Sequence, residues 1–308
     1  MKVCFMGSMD FAVKILEELN KKFEVDLVVT QPDKPVGRKK ILQGTPVKNK
    51  ALELGLKTFQ PENIKNDYQC ILQSNYDFMI VAAYGQIIPD IVLNHARFKA
   101  INVHASLLPK YRGGTPMHRA IMNGDKETGV SIMYMVRKMD AGPVLAQESL
   151  VIEDNDDVGS LEMKLADLGS KLLIKTLDEL ILTNLQALAQ NPEDVTYAYH
   201  IKDEEKIIDL KQPAKVCYDL VRGLHPWPIA EMLINGQKLK VYKADYQEIS
   251  TEHPVGQVVD VNKNGVYIQT GKGLFILKEV QLQGKKRMDI QAFMNGLGKD
   301  IFKLNTSI

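Results

Sequence analysis

The first 105 residues alternate short apolar runs with segments of helical periodicity, and this alternation constrains the fold more than any other feature. Strands are predicted at 2–6, 25–30, 77–83 and 100–105, with helices at 11–19, 46–54 and 64–74 between them. This order predicts a doubly wound, mainly parallel α/β sheet with helices on both faces. Ligands of such sheets bind beyond the carboxyl ends of the strands, so functional residues are expected just after those ends.

Two further strands and a long helix are predicted in the middle of the chain. The strands, at 128–136 and 144–152, flank a loop that contains Asp140 and Gly142. The helix is predicted over 159–183, where leucines repeat on one stripe at helical spacing.

The last third of the chain predicts a separate domain, and a length of 308 residues also favours two domains. Residues 190–208 are polar and are interpreted as a linker. Five short strands follow, with hairpin signals at Asn235-Gly236 and Asn264-Gly265. This pattern is typical of a small β-barrel of the oligonucleotide-binding (OB) type. The predicted division is a first domain at 1–189, a linker at 190–208 and a C-terminal β-barrel at 209–308.

The charge distribution and the cysteine content indicate which partners and which kinds of site the chain could have. The net charge is only +1, but residues 209–308 carry 14 Lys and Arg against 10 Asp and Glu. This basic end is a weak indication of a polyanionic partner, and ordinary scatter in surface charge explains it equally well. The three cysteines lack clustered spacing, which argues against a disulfide framework and a zinc site.

The expected location is the cytoplasm. No run of about 18 apolar residues predicts a membrane span. The sequence starts with a strand-like run instead of the charged, apolar and small-residue regions of a signal peptide.

The turn after the first strand does not predict a dinucleotide site. Gly7 lacks the further spaced glycines of that motif. We interpret the turn as a tight connection in which Ser8 or Asp10 caps the following helix.

Asn102 and His104 form the first candidate for chemistry. They are two residues apart on a predicted strand, so their side chains should share one face about 7 Å apart. An amide can donate a hydrogen bond to a developing oxyanion, and an imidazole can donate to it or move a proton. The pair fits acyl transfer, although a histidine near a strand end is often only a satisfied polar residue.

Asp140 strengthens this hypothesis. It lies in a turn between two predicted strands, from which its carboxylate could orient His104 and raise the basicity of the imidazole. The alternative is a turn aspartate bonded to its own backbone. The chain lacks a GxSxG motif, so a serine hydrolase is not expected.

Several blocks of sequence together resemble the folate-dependent formyltransferases. They are Asn102-Val103-His104, Ser106-Leu107-Leu108-Pro109, Tyr111-Arg112-Gly113 and Asp140-Ala141-Gly142, in that order. Within that superfamily the chain is most similar to the enzymes that act on charged initiator tRNA. The similarity extends to an early block at 30–38 and to late blocks at 226–228 and 288–296.

The resemblance implies a formyl-transfer domain followed by a tRNA-binding barrel. It implies 10-formyltetrahydrofolate as formyl donor, without a metal, and the amino group of initiator methionyl-tRNA as acceptor. It implies catalytic roles for Asn102, His104 and Asp140, and folate binding by Ser106, Leu107, Leu108 and Pro109. A monomer is expected. The rival substrates are an amino-sugar nucleotide and other small amines, and a non-catalytic nucleic-acid-binding protein is the rival class.

Two departures from the family pattern affect the second domain. Leu210 follows Asp209 where the family often has tryptophan, and His225 precedes Pro226 where asparagine is common. Both positions lie in or near the second domain, so they affect how the acceptor is held more than how the formyl group is transferred.

Basic residues between a predicted strand and helix favour tRNA as the acceptor. Arg38, Lys39 and Lys40 are consecutive and lie between glycines, which suits a mobile loop that contacts phosphates. The run Lys285-Lys286-Arg287 could extend the same surface. For either run, a solvated surface with no ligand is the alternative.

Overall fold

The computed structural model describes residues 1–37, 40–183, 185–234 and 236–308. The chain forms two compact units. Unit 1 comprises Met1–Pro116, Glu127–Val151 and Glu162–Tyr199, and unit 2 comprises Met117–Lys126, Ile152–Leu161 and His200–Ile308. The predicted domain boundaries at 189 and 208 stay a prediction.

Unit 1 is built on a seven-stranded sheet. The unit contains the strands β1 (Lys2–Gly7), β2 (Glu24–Val29), β3 (Lys34–Val36), β4 (Ile41–Gln43), β5 (Thr58–Phe59), β6 (Phe78–Ala82), β7 (Ala100–His104), β8 (Glu127–Tyr134) and β9 (Val144–Val151). Seven form one sheet in the order β5-β2-β1-β6-β7-β8-β9, while β3 and β4 pair only with each other. Neighbours from β5 to β7 are parallel, and β8 and β9 are antiparallel. The predicted mainly parallel sheet is confirmed.

The strand order changes direction at β1, because β2 lies on one side of it and β6 on the other. In open parallel sheets such a switch point leaves a crevice at the carboxyl ends of the strands. The location of the functional residues beyond the carboxyl ends of the parallel strands stays a prediction.

The helices in the first 182 residues are α1 (Asp10–Lys22), α2 (Pro46–Glu53), α3 (Asp90–Leu93), α4 (Pro116–Met122) and α5 (Val158–Leu182). Three of them confirm the helices predicted at 11–19, 46–54 and 159–183. Helix α1 follows from its apolar spacing, since Phe11, Ile15, Leu16 and Leu19 are all buried.

The helix predicted over 64–74 is wrong. This segment consists of turns and one short 3₁₀ turn at Ile71–Gln73. The side-chain oxygen of Asn63 accepts a hydrogen bond from Lys65 N, which gives the backbone a local alternative to a helix. Ile64 and Ile71 are nevertheless fully buried, so the apolar spacing reflected burial and not helical structure.

The predicted cap of α1 is also wrong. The N-cap is Met9, which makes no capping hydrogen bond through its side chain. Ser8 Oγ instead donates to the carbonyl of Tyr84, and thus joins the turn after β1 to the turn after β6. The carboxylate of Glu162, on α5, accepts a hydrogen bond from Phe11 N, and burial raises the pKa of Glu162.

The basic segment after β2 is a β-hairpin. Strands β3 and β4 pair antiparallel, and all six of their residues are exposed. At the base of the hairpin the carboxylate of Asp33 forms an ion pair with Lys48 and accepts a hydrogen bond from Gln60. These contacts lower the pKa of Asp33.

The two faces of β7 have different neighbours. A side chain added at Gly169 of α5 would meet Val103 at 3.1 Å and Val130 at 3.2 Å, so α5 packs closely on β7 and β8. Because side chains alternate along a strand, Asn102 and His104 lie on the face opposite to α5.

Unit 2 contains an antiparallel sheet. Its strands are β10 (Ala230–Ile234), β11 (Gln237–Gln247), β12 (Val258–Asn262), β13 (Gly265–Gln269), β14 (Leu274–Leu282) and β15 (Met288–Asp289). They pair in the order β10-β11-β14-β13-β12, with β15 beside β14. The five predicted strands and the Asn264-Gly265 hairpin are confirmed, while Asn235 lies outside the described residues. An OB-type barrel stays a prediction that this sheet is consistent with.

The helices of unit 2 after residue 200 are α6 (Ala214–Gly223), α7 (Ile290–Met294) and α8 (Gly298–Ile301). Two earlier segments of the chain are held in the same unit by ion pairs and backbone contacts. Arg119 pairs with Glu205, and Arg222 donates to the carbonyls of Glu153 and Asp156. Unit 2 therefore depends on segments that precede residue 200.

His225, where the family commonly has asparagine, contacts another side chain. Its Nδ1 lies 2.7 Å from a carboxylate oxygen of Asp157, which belongs to one of those earlier segments. The histidine thus contributes to the internal contacts of unit 2.

All three cysteines are free, and burial raises the pKa of Cys4 and Cys217. Among the described residues, no helix is long and apolar enough to span a bilayer. The same residues contain no group of three or more His, Cys, Asp and Glu that could hold a metal ion.

Candidate active site

Asn102 and His104 lie at the carboxyl end of β7, where that strand pairs with β8. Asn102 is opposite Met133, and His104 is opposite Ser131. Both side chains are buried, with 8% and 6% of their surface exposed. Within the described part of the chain, the Asn102 amide has no hydrogen-bond partner. It therefore remains able to donate to a ligand.

The imidazole of His104 is oriented by a backbone carbonyl. Its Nε2 lies 3.0 Å from the oxygen of Tyr111, and a carbonyl can only accept, so Nε2 carries the hydrogen. In the neutral ring Nδ1 is then without a hydrogen. Nδ1 lies 3.8 Å from Oδ2 of Asp140. Nδ1 is therefore the ring nitrogen that carries a lone pair, and it faces a carboxylate.

Asp140 is held in place by a distant part of the backbone. Its Oδ2 accepts a hydrogen bond of 2.8 Å from Gly113 N, so the aspartate is not simply bonded to its own turn. Its backbone has a φ of 46°, which is uncommon for a residue with a side chain. The next glycine, Gly142, allows the turn to close, because a Cβ there would lie 1.8 Å from the oxygen of Tyr134.

Gln190 is a site residue that the sequence analysis did not identify. Its Nε2 donates to the carbonyl of Asp140 at 2.8 Å and to that of Gly142 at 2.7 Å. Its Oε1 accepts two hydrogen bonds from the buried guanidinium of Arg112, at 3.0 and 2.7 Å. One side chain thus connects the Asp140 turn to the segment after β7. In the sequence, the only sign of this role is that Gln190 is polar, and the whole stretch around it is polar and was interpreted as a linker.

Residues 196–199 also belong to the site. Thr196 Oγ1 accepts from Tyr111 N at 2.9 Å, and Ala198 N donates to Arg112 O at 2.7 Å. Gly113, with a φ of 124°, allows this close approach, because a Cβ there would lie 2.6 Å from Ala198 O. This part of the predicted linker is built into the active-site segment.

The segment from Ser106 to Pro109 is anchored to the edge of the sheet. Leu108 N donates to Ser131 Oγ at 3.0 Å, and Ser131 Oγ donates to Ser106 O at 2.6 Å. Gln147 Nε2 donates to Leu108 O at 2.8 Å. Leu107 and Pro109 are half-buried, so the segment is fixed and still offers apolar surface.

Two runs of basic residues were predicted to contact tRNA, one at 38–40 and one at 285–287. Lys40 is exposed, with a φ of 48°, and Arg38 and Lys39 lie outside the described residues. In unit 2, Arg287 forms a bidentate ion pair with Glu279 and lies 4.2 Å from the ring centroid of Tyr242. It is therefore more constrained than a solvated surface arginine.

Comparison with known families supports the resemblance over nearly the whole chain. Residues 1–177 match the family described as formyl transferase. Residues 200–298 match the formyl transferase C-terminal domain.

Curated relatives of high similarity span the full chain. A methionyl-tRNA formyltransferase of Listeria welshimeri is 42% identical over 98% of this chain and 97% of its own length. A methionyl-tRNA formyltransferase of Streptococcus suis is 43% identical over 97% of this chain and 96% of its own length.

Solved structures share the fold at lower identity. An N-formyltransferase of Helicobacter canadensis, in complex with folinic acid and dTDP-3-aminofucose, has a TM-score of 0.69. It is 20% identical and covers 92% of this chain and 99% of its own. A likeness at this identity supports the shared fold alone.

Proposed function

This chain belongs to the methionyl-tRNA formyltransferases of the formyl transferase family, and we propose that it formylates initiator methionyl-tRNA. The donor is 10-formyltetrahydrofolate, and the product is N-formylmethionyl-tRNA for translation initiation. The amine of the acceptor replaces the folate nitrogen on the formyl carbon.

The observation that carries this proposal is the arrangement of three side chains. An unpartnered amide at Asn102 lies on the same strand face as His104, whose Nδ1 faces the carboxylate of Asp140. Acyl transfer needs a donor for a developing oxyanion and a base for the attacking amine. These residues can provide both without a covalent enzyme intermediate.

We assign distinct roles to Asn102 and His104. Asn102 donates to the formyl oxygen as that oxygen gains negative charge. His104 does not share this role, because its Nε2 hydrogen is already donated to Tyr111 O. Its Nδ1 instead accepts the proton that leaves the attacking amine.

Asp140 acts on the charge that His104 acquires. The carboxylate stabilises the imidazolium, which then gives its proton to the departing folate nitrogen. The number of protons is thereby conserved within the site, since the proton lost by the amine is gained by the leaving group.

The residues after β7 offer apolar surface for a folate ring. The bound folate supplies the formyl carbon and a nitrogen leaving group. Leu107 and Pro109 offer half-buried apolar surface beside His104, and hydrogen bonds to Ser131 and Gln147 fix their backbone. We therefore propose the segment Ser106, Leu107, Leu108 and Pro109 as the folate-binding segment.

For the tRNA we propose contact with Arg38, Lys39 and Lys40 and with unit 2. Lys40 is exposed beside the hairpin formed by β3 and β4, which follows β2 in the chain, and unit 2 contains the basic C-terminal third of the chain. The proposal includes a monomeric enzyme in the cytoplasm, where charged initiator tRNA is used.

The direct test is a formylation assay with purified protein and 10-formyltetrahydrofolate. Charged initiator methionyl-tRNA and a dTDP-linked amino sugar should be compared as acceptors at equal concentrations. We expect formylation of the tRNA and little of the sugar. Turnover of the sugar with none of the tRNA would replace this proposal by the small-amine alternative.

A further inference from the structure

Tyr197 and Tyr199 form an exposed aromatic pair in unit 1. Their ring centroids are 5.3 Å apart and their planes are inclined by 7°, so the rings are stacked. The two residues are 42% and 60% exposed, whereas Ala198 between them is fully buried. This alternation directs both tyrosines away from the buried side of an extended segment.

This pair is attached to the candidate active site. Thr196, the preceding residue, accepts a hydrogen bond from Tyr111 N, and Tyr111 O is the partner of His104 Nε2. At the other end Thr115 Oγ1 donates to Tyr199 O at 2.7 Å. These links connect the segment that carries the rings to the backbone that orients the imidazole.

We propose that Tyr197 and Tyr199 bind the unpaired 3′ nucleotides of the charged tRNA by stacking against a base. This inference rests on the proposed function. The methionyl amine must reach His104 at the end of a single strand, and aromatic faces are what single-stranded nucleic acids stack on, whichever base is present. Because the phenol rings are neutral, phosphate attraction is left to the basic residues elsewhere.

The first experiment compares two double variants in formylation kinetics. Tyr197→Ala with Tyr199→Ala removes the rings, and Tyr197→Phe with Tyr199→Phe keeps them and removes only the hydroxyls. We expect the alanine pair to raise the KM for charged tRNA by about tenfold to a hundredfold, with an unchanged KM for folate. The phenylalanine pair should behave like the parent. Equal defects in both pairs would assign the effect to the hydroxyls and overturn the proposal.

Salt dependence separates stacking from phosphate contact. On a single strand, each phosphate contact contributes about 0.7 to the steepness of the fall of log affinity with log salt concentration. The alanine pair should lose affinity by the same factor at every salt concentration, with an unchanged slope. A shallower slope would show a lost phosphate contact in place of a lost base contact.

The location on the tRNA can be tested with uncharged initiator tRNA, either intact or without its unpaired 3′ nucleotides. The alanine pair should bind the intact form more weakly than the parent and bind the shortened form equally well. An equal loss for both forms would place the contact on the duplex and contradict the proposal.

A spectroscopic measurement does not depend on how the alanine pair folds. We expect 2-aminopurine at the 3′ terminus or at a neighbouring unpaired position to lose fluorescence on binding to the parent and to the phenylalanine pair. Unchanged fluorescence at every unpaired position, with the tRNA bound, would overturn the stacking. If the parent fails to formylate methionyl-tRNA at all, the proposed function fails before the stacking is tested.

Discussion

Two segments that follow parallel strands at the same edge of the unit 1 sheet are built in opposite ways. After β2, the hairpin formed by β3 and β4 exposes every residue of both strands. From the end of β7, the segment from His104 to Thr115 exposes only Lys110 and Gly114 and is hydrogen-bonded to Ser131, Gln190 and Thr196. The segment after β2 offers exposed surface, and the segment after β7 fixes the positions of the candidate active-site groups.

The difference follows from what each task requires. Acyl transfer depends on groups held within a fraction of an ångström of their productive positions, which demands a backbone fixed by many contacts. Contact with phosphates depends on charge that stays accessible and hydrated until a counterion is released. Substitutions in the buried segment should therefore affect turnover, and those in the hairpin should affect the KM for tRNA.

The largest effect is expected for Asn102→Ala and His104→Ala. Loss of the oxyanion donor or of the base should lower kcat by about 10²–10³, while folate affinity changes little. Steady-state kinetics and a folate titration measure the two quantities. Asn94→Ala, an exposed asparagine of the same unit, is the control. Normal turnover in His104→Ala would contradict the assigned chemistry.

Asp140→Asn should have the next largest effect. The amide oxygen can still accept from Gly113 N, but it no longer stabilises an imidazolium with a full negative charge. We expect kcat to fall about tenfold to a hundredfold and its pH dependence to change. If kcat and its pH profile both match the parent, Asp140 is only a structural turn residue.

Variants of Gln190 test whether its hydrogen bonds to the Asp140 turn and to Arg112 hold the segment after β7 in place. Gln190→Glu keeps an acceptor for Arg112 but loses the donor to the carbonyls of Asp140 and Gly142, whereas Gln190→Ala loses both interactions. We expect kcat to fall about tenfold in each variant, because misplacement of Asp140 weakens its support of His104. The KM for tRNA should change less. Parental kcat in both variants would show that these contacts do not position the aspartate.

The smallest effect is expected in the hairpin. Replacing Arg38, Lys39 and Lys40 with glutamine should raise the KM for charged tRNA several-fold, reduce its salt dependence and leave the KM for folate unchanged. Added salt should reproduce the defect in the parent. Lys171→Gln with Lys175→Gln, two lysines on α5, is the matched control. An equal rise in the control would point to net charge and not to the hairpin.

Local sequence predicted the long strands and most of the long helices correctly, but it missed the short strands β3, β4, β5 and β15. Elements that are buried need apolar residues at a fixed spacing, and this spacing is readable in the apolar runs of β1, β6 and β7 and in the leucine stripe of α5. Neighbouring residues do not obscure it there. The exception at 64–74 shows the limit of this approach. There, Ile64 and Ile71 are buried by packing while the Asn63 side chain accepts from the backbone of Lys65, and spacing alone cannot separate that case from a helix.

The sequence by itself determined the chemical groups of the candidate site, since Asn102 and His104 share one face of a predicted strand and Asp140 lies in a turn between two others. Only the tertiary structure decided how they are oriented. Tyr111 O fixes which imidazole nitrogen carries the hydrogen, and Gln190 holds the turn of Asp140 from 50 residues away in the sequence. Hydrogen bonds between distant segments depend on where folding brings their backbones, and residue type and spacing do not encode that placement locally.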